Sequence, residues 1–236
     1  MRKKIYYGVS VGILMVESAF RRYLGDIGNA ETWSFPVQYK VVKGAVPSKM
    51  TELHNSSLLE PFKLAADELI ASGVDGITTT CGFLSIYQRE LADYCSVPVA
   101  TSSLLQVPMV ERMLPTGKRV GILTYNGDVL NGPYLDAVGI AQDTPVMGMA
   151  QDSNFVRWIK EGDNSVSFGT LRQEVVATAR QMVEQNPDVG ALVLECTNLA
   201  PFSADISDAL GLPVFDTLTM VNLFQASLRP RRFINQ

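Results

Sequence analysis

The sequence predicts an α/β fold with two pseudo-symmetric, doubly wound lobes, mostly parallel sheets and a functional site in the cleft between the lobes. Short apolar runs alternate with segments whose apolar residues recur every three or four positions. This is typical of buried parallel strands that alternate with helices. Landmarks also recur after 115 positions: Cys81 and Cys196 are separated by this interval, as are Val97-Pro98-Val99 and Leu212-Pro213-Val214. We interpret the recurrence as an internal duplication.

In the first lobe, helical spacing of apolar residues predicts a helix over 57–71, which Ser72 and Gly73 end. A β-branched run predicts a buried strand over 74–79. The remaining elements expected there are strands over 5–11 and 97–100 and a helix over 83–94.

The second lobe repeats this order. Lys118 and Arg119 precede an apolar run as Lys3 and Lys4 do, again 115 positions apart. Strands are expected over 120–124, 189–194 and 214–215, with helices over 171–184 and 204–210. A last helix, over 219–228, is expected to return to the first lobe. The predicted lobes are therefore 1–101 with 216–236, and 102–215.

Composition narrows the functional class. The chain has 236 residues, of which 47% are hydrophobic and 19% charged, and a net charge of −4, which is ordinary for a globular protein. It has no basic stripe for a nucleic acid and no apolar run long enough for a membrane span. Three widely spaced cysteines, with no secretory leader pattern, favour a cytoplasmic protein with free thiols.

No cofactor is expected. A single histidine, His54, and scattered cysteines do not make a metal site. The chain lacks a glycine-rich dinucleotide fingerprint, and no lysine lies in a recognisable pyridoxal phosphate context.

Cys81 and Cys196 are the candidate catalytic residues. Each follows an apolar strand and precedes a helix, at the sheet edge where parallel folds bind ligands. A helix N-terminus favours a thiolate, so we expect a lowered thiol pKa, and it also suits a bound carboxylate. Two opposed thiols suit proton transfer at a carbon next to a carboxylate, one as base and one as acid. Cys95 is interpreted as an ordinary buried residue.

The segments Thr79-Thr80-Cys81-Gly82 and Glu195-Cys196-Thr197-Asn198-Leu199-Ala200-Pro201 resemble the aspartate/glutamate racemase superfamily. The resemblance implies a cofactor-independent isomerase: a racemase of an acidic amino acid or related small carboxylate, with Cys81 and Cys196 as acid and base. Family members are often dimers, so a homodimer or higher homo-oligomer is compatible with it. The substrate-binding residues that it implies are Ser10, Thr80, Gly82, Ser102, Tyr125, Asn126, Thr197 and Asn198.

Two residues depart from the pattern of glutamate racemases: Glu195 replaces a glycine and Asn198 replaces a histidine. Glu195 either faces the cleft or braces the turn. Three alternatives from the same superfamily stay open: a hydantoin racemase, a maleate isomerase and an arylmalonate decarboxylase type of lyase. A non-catalytic protein that binds small molecules is the alternative from another class.

Overall fold

The computed structural model describes residues 8–51, 58–230 and 232, and they form two parallel sheets of four strands each. The first sheet has the spatial order β2-β1-β3-β4, and the second has the equivalent order β6-β5-β7-β8. The strands are β1 (Val11–Val16), β2 (Val37–Val42), β3 (Gly76–Thr79), β4 (Val99–Ala100), β5 (Arg119–Thr124), β6 (Val146–Gly148), β7 (Val189–Leu194) and β8 (Val214–Phe215). The predicted fold class is confirmed.

Nine α-helices lie within the described residues, and several begin with a side chain that caps the first turn, such as Ser167 of α7 and Asp216 of α9. The helices are α1 (Pro47–Met50), α2 (Leu59–Ser72), α3 (Gln88–Tyr94), α4 (Val107–Glu111), α5 (Gly132–Asp136), α6 (Asn154–Glu161), α7 (Phe168–Gln185), α8 (Ser203–Leu210) and α9 (Thr217–Leu228). Six of these elements were not predicted from the sequence: β2, β6, α1, α4, α5 and α6. None of the described helices is long and apolar enough to cross a membrane.

The interval of 115 residues holds for two pairs of strands but not for the first pair. β3 and β7 end 115 positions apart, at Thr79 and Leu194, and so do β4 and β8. By contrast, β1 and β5 begin 108 positions apart. The interval between the two basic pairs therefore does not extend to β1 and β5, and Lys3 and Lys4 lie outside the described residues.

The first described strand begins later in the chain than the predicted one. It was expected over 5–11, whereas β1 begins at Val11, and residues 1–7 lie outside the described part. Gly8 has a φ of 110°, which interrupts an extended chain there. The run from Val11 to Val16 instead forms a central strand that is buried on both faces.

The two faces of β1 pack against different helices. Leu14 belongs to a core cluster with Phe62 of α2, whereas Ile13 belongs to another with Val221 of α9. The tail helix thus packs on the first sheet, and a Cβ at Gly76 of β3 would lie 2.7 Å from the ring of Phe224. This packing agrees with the expected return of the tail, while the exact lobe boundaries stay a prediction.

Candidate active site

Both candidate cysteines line one small cavity. Cys81 follows β3 and Cys196 follows β7, and each directly precedes a 3₁₀ turn, Gly82–Tyr87 or Thr197–Phe202. The cavity encloses about 50 Å³. Because both thiols reach it from carboxyl ends of parallel strands, the duplicated topology gives one site with a sulfur atom from each half.

The two cysteine turns contact each other directly. The hydroxyl of Thr197 donates to the backbone carbonyl of Thr80 over 2.9 Å. The hydroxyl oxygen of Thr80 accepts from the backbone N–H of Val16 over 2.9 Å, which ties the first turn to β1. A Cβ at Gly82 would overlap the backbone carbonyl oxygen and Oε1 of Glu195, so only glycine fits this approach.

The structure brings most of the predicted substrate-binding residues to the cavity. Those that line it are Thr80, Gly82, Tyr125, Thr197 and Asn198. Asn126 lines a second, adjoining cavity instead.

Ser10 and Ser102 are not among the residues that line either cavity. Ser10 precedes β1, so it lies at the amino end of the strand, where its backbone N–H donates to Asp75. This is a correction that follows from the misplaced first strand. The side chain of Ser102 accepts from the backbone N–H of Leu104 and is buried in its own turn. The next residue, Ser103, donates from its hydroxyl to the carbonyl of Leu194 over 2.6 Å.

Ser18 and Arg22 line the cavity and were missed by sequence reasoning. Once β1 is placed at 11–16, they lie just beyond its carboxyl end, which is the signal that was available. The guanidinium of Arg22 donates to Ser18 Oγ over 2.9 Å and to Asp26 Oδ1 over 2.7 Å. It also lies over the ring of Phe20, 4.7 Å from the ring centroid.

Asp26 links this arginine to the second cysteine. Its carboxylate is fully buried, and its Oδ2 accepts from Asn198 Nδ2 over 2.7 Å. The Oδ1 of Asn198 in turn accepts from the thiol of Cys196 over 3.7 Å. Asn198 therefore bridges a loop of the first half to the thiol of the second half, and Asp26 fixes which way its amide points.

The expected lowering of the thiol pKa values is wrong. Burial raises the pKa of Cys81 to about 12, and the nearby carboxyl of Glu195 raises it further in the same direction. Burial and Glu195 also raise the pKa of Cys196 well above its ordinary value. Backbone N–H groups of the 3₁₀ turns do favour the thiolates, as expected, but desolvation outweighs them.

Glu195 fulfils both of its predicted alternatives. It lines the cavity with both cysteines, and its backbone N–H donates to Leu123 over 2.7 Å, which joins the turn to β5. Its Oε2 accepts from the hydroxyl of Thr124 over 2.5 Å. Burial raises the pKa of this carboxyl to about 7, and the Thr124 hydrogen bond only partly offsets the rise.

A larger cavity of about 490 Å³ adjoins the first. The two share Ser18, Pro47, Thr51, Tyr125 and Ile159, so we call them the inner and outer cavities. Glu17, Lys160 and Glu161 line the outer cavity alone, whereas Arg22 and Glu195 line the inner one. A larger cavity of mixed charge therefore lies beside the small cavity that holds the thiols.

Residues 65–221 match the Asp/Glu/Hydantoin racemase family. The chain belongs to that family. Membership agrees with two duplicated parallel sheets and a cysteine from each half in one cavity. The chain is thus an enzyme of the racemase superfamily, as the resemblance implied.

The similar proteins include both lyases and racemases. A dimethylsulfoniopropionate lyase of Durusdinium sp. clade D is 31% identical over 227 residues, which cover 91% of this chain and 73% of that protein. A mutant of arylmalonate decarboxylase with an associated sulfate ion has a TM-score of 0.65 at 18% identity, covering 94% of this chain and 97% of the other. A glutamate racemase of Bacillus anthracis has a TM-score of 0.64 at 13% identity, covering 93% of this chain and 81% of the other. At these identities the two structures show a shared fold alone.

Proposed function

We propose that this protein is a lyase that takes a proton from the carbon next to the carboxylate of a small acid and expels a leaving group from the following carbon. The candidate substrate is dimethylsulfoniopropionate. The observation that carries the proposal is the single inner cavity that holds Cys81, Cys196 and Glu195. The sequence similarity to a dimethylsulfoniopropionate lyase supports elimination as the outcome of proton removal.

The reaction needs one base. A thiolate accepts the α-proton, and the electron pair of that C–H bond forms the second bond between the α- and β-carbons. The bond from the β-carbon to sulfur breaks, and its electron pair stays on sulfur, so the sulfonium group leaves as neutral dimethyl sulfide. Acrylate remains, and the thiol later returns its proton to solvent.

The two cavities suit the two ends of such a substrate. The inner cavity is small, so it suits the carboxylate end with its reacting carbons. The hydroxyl of Thr80 accepts from Val16 and keeps its own proton to donate to that carboxylate. The sulfonium end then faces Tyr125, which lines both cavities, and an outer cavity whose charged residues are two carboxylates, Glu17 and Glu161, and one lysine, Lys160. An aromatic face and carboxylates both favour a cation.

A second candidate is a cofactor-independent racemase of an acidic amino acid. Two thiols in one cavity support it, because racemisation needs an acid and a base on opposite faces of the same carbon. The charges of the site favour the racemase less than they favour the lyase. An acidic amino acid brings two carboxylates, and among the described residues of the inner cavity the cationic side chain is Arg22, which is already paired with Asp26.

The proposal is tested by incubating the protein in D₂O with dimethylsulfoniopropionate and, separately, with L-aspartate and L-glutamate. Vinyl proton resonances of acrylate, together with dimethyl sulfide in the headspace, support the lyase. Loss of optical activity with deuterium at the α-carbon of an amino acid supports the racemase instead. Saturable binding of all three without turnover would contradict both and would favour a binding protein.

A further inference from the structure

We infer that Glu195 acts as a neutral carboxylic acid that donates a hydrogen bond from Oε1 to the carboxylate of the substrate. The inference deepens the proposed function and rests on the α-proton chemistry in it. It assigns a catalytic role to one of the two residues at which this sequence departs from the glutamate racemase pattern.

The hydrogen bonding of Glu195 is half complete. Its side chain is fully buried, and Oε2 accepts from Thr124 over 2.5 Å. Oε1 is buried as well and has no hydrogen-bond partner within the described part of the chain. A buried polar atom without a partner costs free energy, so a ligand that supplies the partner is favoured there. Oε1 lies against Gly82, and both residues line the inner cavity, so a carboxylate bound there would lie close to this atom.

The surroundings favour the neutral form of the carboxyl. Cys81 after β3, Cys196 after β7 and Tyr134 of α5 each have a pKa that a charge on Glu195 raises, so an ionised Glu195 opposes any other anion there. Among the described residues no ion pair joins Glu195 to a lysine or arginine, and Arg22 is paired with Asp26. Burial accordingly raises the pKa of Glu195 to about 7.

A neutral hydrogen-bond donor at this place would stabilise the charge that develops on the substrate carboxylate during proton removal. Removing a proton next to a carboxylate moves further negative charge onto oxygens that are already charged. A carboxylic acid that its apolar surroundings keep neutral can donate to such an oxyanion. A neutral Glu195 also leaves one thiol easier to ionise, because its charge would otherwise raise both thiol pKa values.

Glu195→Gln separates this role from that of a base, because glutamine keeps a donor but cannot ionise. In the wild type we expect kcat/KM for elimination or α-proton exchange to have a limb that declines above a pKa near 7. The variant should lose about tenfold or less and lack that limb. A general base would give the opposite result: a rate that rises through this pH range and a loss of roughly 10²–10⁴-fold in the variant. That result would overturn the inference.

Thr124→Val is a second test that leaves Glu195 in place. The hydroxyl of Thr124 lowers the pKa of Glu195, so its removal should raise that pKa and move the declining limb to higher pH. If the declining limb stays at the same pH, it reports the pKa of another group, and the inference is contradicted.

A readout independent of turnover keeps this inference separate from the proposed function. The infrared difference between wild type and Glu195→Gln at pH 6 should contain the carbonyl band of a protonated carboxyl, and added propionate should shift that band. A spectrum with only a carboxylate band would overturn the inference, whichever substrate the enzyme uses. Absence of turnover with dimethylsulfoniopropionate, together with the expected band and shift, would instead contradict only the proposed substrate.

Discussion

The hydroxyl of Thr197 donates to the carbonyl oxygen of Thr80 over 2.9 Å, across 117 residues of sequence. Thr197 directly follows Cys196, and Thr80 directly precedes Cys81, the two cysteines that line the inner cavity. The bond therefore joins the two cysteine turns directly, from a side chain of one to the backbone of the other. Both threonines are almost fully buried, so water does not compete for this hydrogen bond. The bond can therefore fix the position of one thiol relative to the other.

Serine variants of the two cavity cysteines distinguish elimination from racemisation. A hydroxyl ionises far less readily than a thiol, so the variant that removes the base should lose about 10²–10⁴-fold in kcat. Elimination needs one base, and we expect the other variant to lose less. Racemisation needs both thiols, so comparable losses in Cys81→Ser and Cys196→Ser would favour that reaction. Cys95→Ser is the control, since Cys95 does not line the cavity, and full activity in all three variants would contradict the site.

Gly82→Ala should destabilise the protein and lower its activity. The new Cβ would overlap the backbone carbonyl of Glu195, which cannot move without shifting β7 and the second cysteine turn. Overpacking of this kind costs about 1–3 kcal/mol, measurable by urea unfolding. Gly169→Ala in α7 is the matched control, because its Cβ would meet only Ser167 Oγ at 3.8 Å and alanine favours the helix. Equal stability of the two variants would show that the close approach is absent.

Asn198→Asp should make stability fall with pH. The new carboxyl would replace an amide that donates to buried Asp26 over 2.7 Å, and two carboxylates in one site cannot both ionise cheaply. The folded protein then keeps a proton that the unfolded chain releases above pH of about 4. Stability relative to wild type is therefore lost as the pH rises through that value.

The measurement is urea unfolding of the Asn198→Asp variant and the wild type at pH 5 and pH 8. The matched control is Asn222→Asp, since Asn222 is exposed on α9. The same destabilisation at both pH values would argue against a shared site for the two carboxyls.

Glu195→Gln should stabilise the protein at alkaline pH. Burial raises the pKa of Glu195 from 4.5 to about 7, so the folded state holds a proton that the unfolded chain loses. Wild-type stability accordingly falls as the pH rises from about 4.5 to about 7, by on the order of 3 kcal/mol. The variant lacks this loss. Its free energy of unfolding, relative to that of the wild type, should therefore be higher at pH 8 than at pH 5, as measured by thermal or urea unfolding. Glu184→Gln, at an exposed position of α7, should show no such difference.

The cysteine positions could be predicted from the sequence because their signal is local. An apolar strand followed by Cys81 or Cys196 and then by small polar residues indicates a strand end in a parallel sheet, and such ends meet at one edge. The same reasoning failed at Ser10, because a strand predicted over 5–11 put this residue near a carboxyl end, whereas β1 begins at Val11. Ser18 and Arg22 were missed for this reason, since a strand displaced by a few residues places different side chains at the sheet edge.

The sequence by itself determined the α/β class, the chain positions of most strands and the location of Cys81 and Cys196 at strand ends, because strand periodicity and turn composition are local properties. Tertiary structure alone decided the electrostatics. The sequence placed Cys81 and Cys196 at helix starts and thus predicted lowered pKa values, whereas burial beside Glu195 raises them. The tertiary structure also decided the hydrogen bonds between Asp26 and Asn198 and between Thr124 and Glu195. Desolvation and contacts between distant segments depend on how the halves pack, and no local pattern in the chain encodes that packing.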